Sequence, residues 1–356
     1  MTQPIETTET LPEPAGNASG KPSGKTYGMV LGKFLPPHKG HVYLIEFAKN
    51  FVDDLTVVVD TMPTDPIHTD TRCAWIRQMF PSVRVVRLKE PNPQEPKDHP
   101  QFWEIWQRTL LDLLPHKLDY VFASEQYGWK LAEVLGAQFV GVDPGRNIMP
   151  TSGTACRNDP FANWDYLPSV VRAHFVRKVC IFGPESTGKS TLALNLAKHY
   201  KTISVPEYGR TWTELRQGQV NPEDIEIIAR GQLASEDALA QEANKIMFCD
   251  TDLLTTTIWS DWLFGSCPQW IKDKAVKRRY DLHLLLDVDV PYVEDIVRYL
   301  PDQRIEFFER CQKELEVAGR PYVKISGTWD KRLEQSIKAV DNLLKSEFKW
   351  SNYAQV

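Results

Sequence analysis

Two series of short apolar runs alternate with longer amphipathic stretches along the chain, the pattern of a parallel sheet covered by helices. In the first series Tyr27–Leu31, Leu55–Val59, Val83–Leu88, Tyr120–Ala123 and Phe139–Val142 read as strands. Helices are expected over Gly40–Val52, Arg72–Phe80, Gln101–Leu114 and Trp129–Leu135. The second series places strands at Lys178–Phe182, Thr202–Val205, Ile246–Cys249, Leu282–Leu286 and Tyr322–Ile325, a helix over Ser190–Tyr200 and a closing helix from Asp330 to Leu344. Asp159–Phe175, with Pro160 and Pro168, reads as the join. The fold class expected is α/β, with two Rossmann-like, doubly wound parallel-sheet domains over residues 26–172 and 173–356.

Composition narrows this picture in four ways. Residues 1–25 are rich in Thr, Glu, Pro, Gly and Ser and almost empty of large apolar side chains, so a disordered tail is expected there. The tail lacks the apolar centre of a secretory signal, and no later stretch reaches the roughly 20 apolar residues of a membrane span, which points to a cytoplasmic protein without a membrane partner. With 42 basic against 47 acidic residues and a net charge of -5, no broad basic field is available to draw the chain to nucleic acid. The six cysteines are scattered without a Cys-x-x-Cys pair, which suits free thiols in a reducing compartment and suggests no metal cluster.

The chemistry is concentrated in two loops, each directly after the first strand of its series. Gly183-Pro-Glu185-Ser186-Thr187-Gly188-Lys189-Ser190-Thr191 fills every fixed position of the P-loop pattern, in which backbone N–H groups surround phosphates and the lysine reaches the outer ones. Ser190 can offer a hydroxyl to Mg2+, and Asp250 or Asp252, ending a later strand, can hold that ion or its waters. Glu207, in Pro206-Glu207-Tyr208-Gly209-Arg210, stands where an acceptor hydroxyl would be oriented or deprotonated, and Arg210 where phosphate or ribose would be met. The same pair equally reads as a salt-bridged surface turn. Arg298 and Arg304 open a segment able to bring positive charge over ATP, or else form a solvated helix face.

The other loop, Gly32-Lys33-Phe34-Leu-Pro-Pro-His38-Lys-Gly40-His41, uses two imidazoles at the start of a helix. They are placed to donate hydrogen bonds to a triphosphate and to the charge that develops on its α-phosphate. Ser152, Thr154 and Arg157, at what reads as a later helix start, add hydroxyls and a guanidinium suited to the outer phosphates.

Together these two pieces resemble the nucleotidyltransferase superfamily that carries an H-x-G-H motif near its N-terminus and an S-x-T-x-x-R motif near the end of the domain. The stretch from His99 through Trp103 and Trp106 to Glu125 looks like the pyridine-nucleotide end of the NMN adenylyltransferases, where an aromatic ring stacks on nicotinamide. Trp106 is the nearer match and Trp103 the reserve, and both equally read as core on one helix face. The second half resembles the ribosylnicotinamide kinase domain of NadR-type bifunctional proteins, with Tyr208, Arg210 and Asp252 at the substrate. Family lids often read Asp-Gly-x-Arg, whereas Ile296 and Val297 intervene here, and no pattern for the helix-turn-helix of enterobacterial relatives is found.

The resemblance implies nicotinamide riboside, NMN, ATP and NAD as small-molecule ligands, ATP as co-substrate and Mg2+ as cofactor, and is compatible with a homo-oligomer. A different nucleotidyltransferase fused to another nucleoside kinase, or a slow NAD or ATP sensor, are the alternatives it leaves.

Overall fold

The computed structural model describes residues 24–295 and 298–350, so most of the expected tail lies outside the described residues. The first half runs β1 (Tyr27–Gly32), α1 (Lys39–Phe51), β2 (Asp54–Val59), α2 (Thr69–Met79), β3 (Arg84–Arg87), α3 (Phe102–Leu113), β4 (Tyr120–Ala123), α4 (Tyr127–Leu135), β5 (Gln138–Gly141), α5 (Gly153–Asn158) and α6 (Ser169–Phe175). The second runs β6 (Arg177–Phe182), α7 (Lys189–Tyr200), β7 (Ser204–Val205), α8 (Tyr208–Leu215), α9 (Asp224–Leu239), β8 (Ile246–Asp250), α10 (Leu253–Phe264), α11 (Gln269–Lys277), β9 (Leu282–Leu286), α12 (Arg304–Val317), β10 (Tyr322–Ile325) and α13 (Trp329–Lys345).

All the named strands pair in parallel, as two five-stranded sheets ordered β3-β2-β1-β4-β5 and β10-β9-β6-β8-β7. Both faces of each sheet are covered, and the strand sequences show why. Val30, Val57, Val59 and Phe122 enter one apolar cluster while their neighbours Met29, Val58 and Val121 enter another. In the second sheet Val179, Ile181 and Phe248 face one way and Cys180, Phe182, Met247 and Cys249 the other. Alternate side chains point to opposite faces, so a strand buried on both sides reads as a continuous apolar run.

β1 lies between β2 and β4, and β6 between β8 and β9, so the chain reverses its direction of winding at these strands. The crevice beyond the carboxyl end of such a strand is where open α/β sheets bind ligands. Both motif loops leave from that point.

The join is more structured than a linker. Residues 164–166 form a 3-10 turn and α6 follows it, with Trp164, Val171 and Phe175 buried in one cluster with Trp75 of α2 and with Phe182 and Leu285 of the second sheet. The expected boundary after Arg172 falls inside α6. β7 is shorter than expected, because Thr202 turns its hydroxyl to the carbonyl of Ile246 and accepts from the Asn244 N–H instead of extending the ladder. Residues 291–295 and 298–303 form neither helix nor strand, so the helical-face reading of Arg298 is corrected: the segment is held by side-chain hydrogen bonds rather than a helical ladder.

Candidate active sites

Each crevice is a cleft. The first, of about 870 Å3, is lined by the expected residues Gly32, Lys33, Phe34, His38, Gly40, His41, Trp103, Trp106, Ser152, Thr154 and Arg157. The second, of about 500 Å3, is lined by Glu185, Ser186, Thr187, Gly188, Lys189, Ser190, Thr191, Glu207, Arg210, Asp250 and Arg298.

In the first cleft the two histidines cap α1 reciprocally. The Gly40 N–H donates to His38 Nδ1 at 3.2 Å and the His38 N–H donates to His41 Nδ1 at 3.3 Å. A Cβ at Gly40 would stand 3.0 Å from the His38 ring, so the glycine lets that ring sit close against the turn. Backbone N–H groups only donate, so both Nδ1 atoms accept and each neutral ring carries its proton on Nε2. Burial, aided by the charge of Arg146, lowers His38 to about 4, and burial with His38 and Arg146 lowers His41 well below the ordinary imidazole range. Near neutrality the pair is a set of two uncharged N–H donors.

Arg157 donates to Thr154 Oγ1 at 3.0 Å and to the Leu35 carbonyl at 2.7 Å, which ties α5 to the histidine loop. Ser152 caps α5 by accepting from the Ala155 N–H at 3.1 Å. Trp106 is buried in the cluster with Phe102 and Leu110, and its Nε1–H donates to the Pro93 carbonyl at 2.9 Å. Trp103, one turn earlier, is only half-buried.

Three residues of this half were missed. Asp60, just past β2, is buried in the cleft wall, and desolvation raises its carboxyl above the usual range. Its position beyond a strand neighbouring β1 is the signal that could have found it. Arg146 lines the cleft and pairs with Glu125 at 3.0 Å. Arg72 is fully buried and donates to Asp65 at 2.6 Å, to the Asp60 carbonyl at 3.1 Å and to the Lys33 carbonyl, fastening the ends of β1 and β2 together.

In the second cleft Gly188 takes φ +84°, and a Cβ there would lie 2.4 Å from the Trp329 ring. Lys189 folds back to donate to the Pro184 carbonyl at 2.7 Å. Fully buried Arg332, another residue that the sequence did not disclose, donates to the carbonyls of Thr187 at 3.1 Å and Asp287 at 2.9 Å and pairs with Asp289. It braces the loop from α13.

Asp250, at the end of β8, is buried and its Oδ1 has no hydrogen-bond partner among the described residues. Burial raises its carboxyl, opposed by Lys189, the Ser190 hydroxyl and Arg210. Glu207 is raised to about 7, mainly by burial and then by the charge of Asp250. Arg210 pairs with Asp295 at 2.6 Å and Glu214 at 2.8 Å.

Four expected residues stand off this cleft. Gly183 shapes the turn from below, with φ +129° and a virtual Cβ 2.9 Å from the Leu286 carbonyl oxygen. Tyr208 packs its half-buried ring on Gly231 of α9. Asp252 is buried, caps α10 through the Thr255 N–H at 2.8 Å and meets His283 at 3.1 Å. Arg304 starts α12 and donates to the carbonyls of Ser186 at 3.4 Å and Val290 at 3.0 Å.

Residues 178–332 match the family model of the AAA domain, which spans the P-loop half. A curated relative from Escherichia coli strain K12, the trifunctional NAD biosynthesis/regulator protein NadR, is 32% identical over 344 residues, covering 90% of this chain and 84% of the relative. The Salmonella typhimurium protein of the same description is 33% identical over 297 residues, covering 78% and 72%. The chain belongs to the NadR family. The crystal structure of a NadR protein in complex with NR superposes with a TM-score of 0.74 at 22% identity, covering 92% of this chain and 98% of that one. A NadR protein in complex with NAD and AMP-PNP gives a TM-score of 0.72 over the same shares. The NadR fold, with both of its sheets, is therefore the fold of this chain.

Proposed function

We propose that the chain makes NAD in two ATP-dependent steps, phosphorylating nicotinamide riboside to NMN in the P-loop half and adenylylating NMN in the histidine half with release of pyrophosphate. The observation that carries this reading is the pairing, in one NadR-family chain, of a neutral histidine pair at one switch point with a P-loop and a raised-pKa carboxylate at the other. The two working units are those built on the sheets of β1–β5 and β6–β10, joined at α6, and the substrates suit a cytoplasmic enzyme.

In the kinase cleft the 5'-hydroxyl of the riboside gives its proton to Glu207 as its oxygen attacks the γ-phosphorus, and the bond to the ADP oxygen breaks. A base near 7 is matched to that transfer. Lys189 exchanges the Pro184 carbonyl for the outer phosphates. The unpartnered buried Oδ1 of Asp250 beside the Ser190 hydroxyl suits Mg2+ or its waters, and the bound ion would neutralise charge on the transferring group. Arg298 lines the same cleft and adds positive charge.

In the histidine cleft an NMN phosphate oxygen attacks the α-phosphorus of ATP and pyrophosphate leaves. No proton has to move, because the attacking phosphate is already ionised. The Nε2–H groups of His38 and His41 donate to the charge developing on the α-phosphate, while Arg157 and Thr154 hold the leaving group. Trp103 and Trp106 supply the aromatic wall for the pyridine ring.

The test is incubation with nicotinamide riboside, ATP and Mg2+, followed by chromatography for NMN and NAD. Both products are expected. A folded protein that forms neither would overturn the reading, and NAD from supplied NMN with no NMN from the riboside would remove the kinase half alone.

A further inference from the structure

Glu185 occupies a variable position of the P-loop pattern, yet its carboxylate faces away from the phosphate cradle. It is buried and accepts from the Tyr299 N–H at 2.9 Å, the Leu300 N–H at 2.6 Å and the Tyr292 hydroxyl at 3.3 Å. Ser186, next to it, accepts from the Val293 N–H at 2.8 Å. The irregular segment that follows β9 in sequence therefore leans on the outer turn of the P-loop at four points, through Tyr292, Val293, Tyr299 and Leu300.

The same residues reach the acceptor side of the cleft. Tyr299 lines the cleft, its hydroxyl donates to the Gly218 carbonyl at 2.7 Å just beyond α8, and its ring meets Trp259, another lining residue, edge-on at 6.3 Å. Asp295 receives the Arg210 guanidinium from α8 at 2.6 Å. A path of short hydrogen bonds thus joins the loop that cradles phosphate to the wall that faces the acceptor. Phosphates bound by the backbone N–H groups of 185–189 fix the conformation of that loop, and with it the direction of the Glu185 side chain.

We propose that Glu185 is a positioning residue through which nucleotide in the P-loop and nucleoside in the acceptor cleft are coupled. Its carboxylate acts on the cleft wall rather than on either ligand. By holding the Tyr299 and Leu300 amides it sets the wall that the nucleoside meets, so each ligand binds better when the other is present, and by the same factor. This rests on the kinase reading above.

The experiment measures the Kd of nicotinamide riboside with and without AMP-PNP and Mg2+, in the parent, Glu185→Gln and Glu185→Ala, beside melting curves and NAD formation from NMN. In the parent the analogue should tighten riboside binding about fivefold or more, the lower end of ordinary coupling. The ratio should fall towards one in Glu185→Ala and lie between in Glu185→Gln, whose amide oxygen still accepts one N–H, with NAD formation unchanged in both. A parent ratio of one, or a folded Glu185→Ala with the parent ratio, overturns the proposal. Should the alanine variant fail to fold, Glu185→Gln decides, and an unchanged ratio there overturns it too. A riboside that binds the parent under neither condition overturns the kinase reading instead.

Discussion

The imidazoles of His38 and His41 lie with ring centroids 3.8 Å apart, each Nδ1 engaged by a backbone N–H of the turn they share. The helix start fixes the tautomer, and the tautomer aims both Nε2–H donors outward. His38→Asn keeps a good cap while removing the imidazole donor. It should leave the melting temperature within a few degrees and lower adenylyl transfer by about two orders of magnitude or more, as loss of a transition-state donor does, with NMN formation retained. His41→Ala should lose activity to a similar extent. NAD synthesis from NMN at the parent rate in either variant would reject the assignment.

Lys189→Ala should abolish NMN formation and leave NAD synthesis from supplied NMN largely intact, because the lysine charge serves only the P-loop. Assaying the two half-reactions separately checks this. Equal loss of both in a folded protein contradicts two independent sites.

The two activities should also differ in pH dependence. Glu207 must be ionised to take the hydroxyl proton, so riboside phosphorylation should fall about tenfold per pH unit below about 7. Adenylyl transfer should stay level there, since His38 gains its proton only near 4. The folded chain then binds fewer protons than the unfolded one, so His38 makes stability decline as pH falls from about 6.5 towards 4. Profiles of kcat/KM for each half-reaction, with melting curves at each pH, test both statements.

Trp106 and Trp103 should separate by stability. Trp106→Ala removes a buried ring whose N–H is already bonded to Pro93, and should cost about 3 to 5 kcal/mol. Trp103→Ala, at the more open ring, should keep the melting temperature near the parent's and raise the KM for NMN well above any change for ATP, because stacking contributes about 0.5 to 1.5 kcal/mol beyond area burial. Saturation curves for both substrates in each variant give the answer. An unchanged NMN constant in Trp103→Ala excludes stacking there.

The strands, the helices that follow both motifs and the phosphate loops themselves were legible in the sequence, because their determinants are local. Apolar runs buried on both faces identify a parallel strand, a glycine pattern identifies a cradle for phosphate, and a His-x-Gly-His at a strand end marks a helix start with donors. The clustering of Gly32, His38 and Trp103 around one cleft also followed, since each lies at a strand end or a helix start beside one sheet, and the short α5 brings Arg157 to the same cleft.

What the tertiary structure alone decided is where charged side chains turn. Arg72 and Arg332 sit in helices whose polar residues read as solvated, yet both are buried and brace the motif loops through backbone carbonyls that no local pattern names. Glu185 belongs to the P-loop by sequence and to Tyr292, Tyr299 and Leu300 by its hydrogen bonds. Asp252 carries a motif position but is buried against a histidine on β9, and Tyr208, half-buried, lays its ring on a glycine of α9. A side chain's direction depends on partners far along the chain, and the raised carboxyl of Glu207 depends on the burial those partners create.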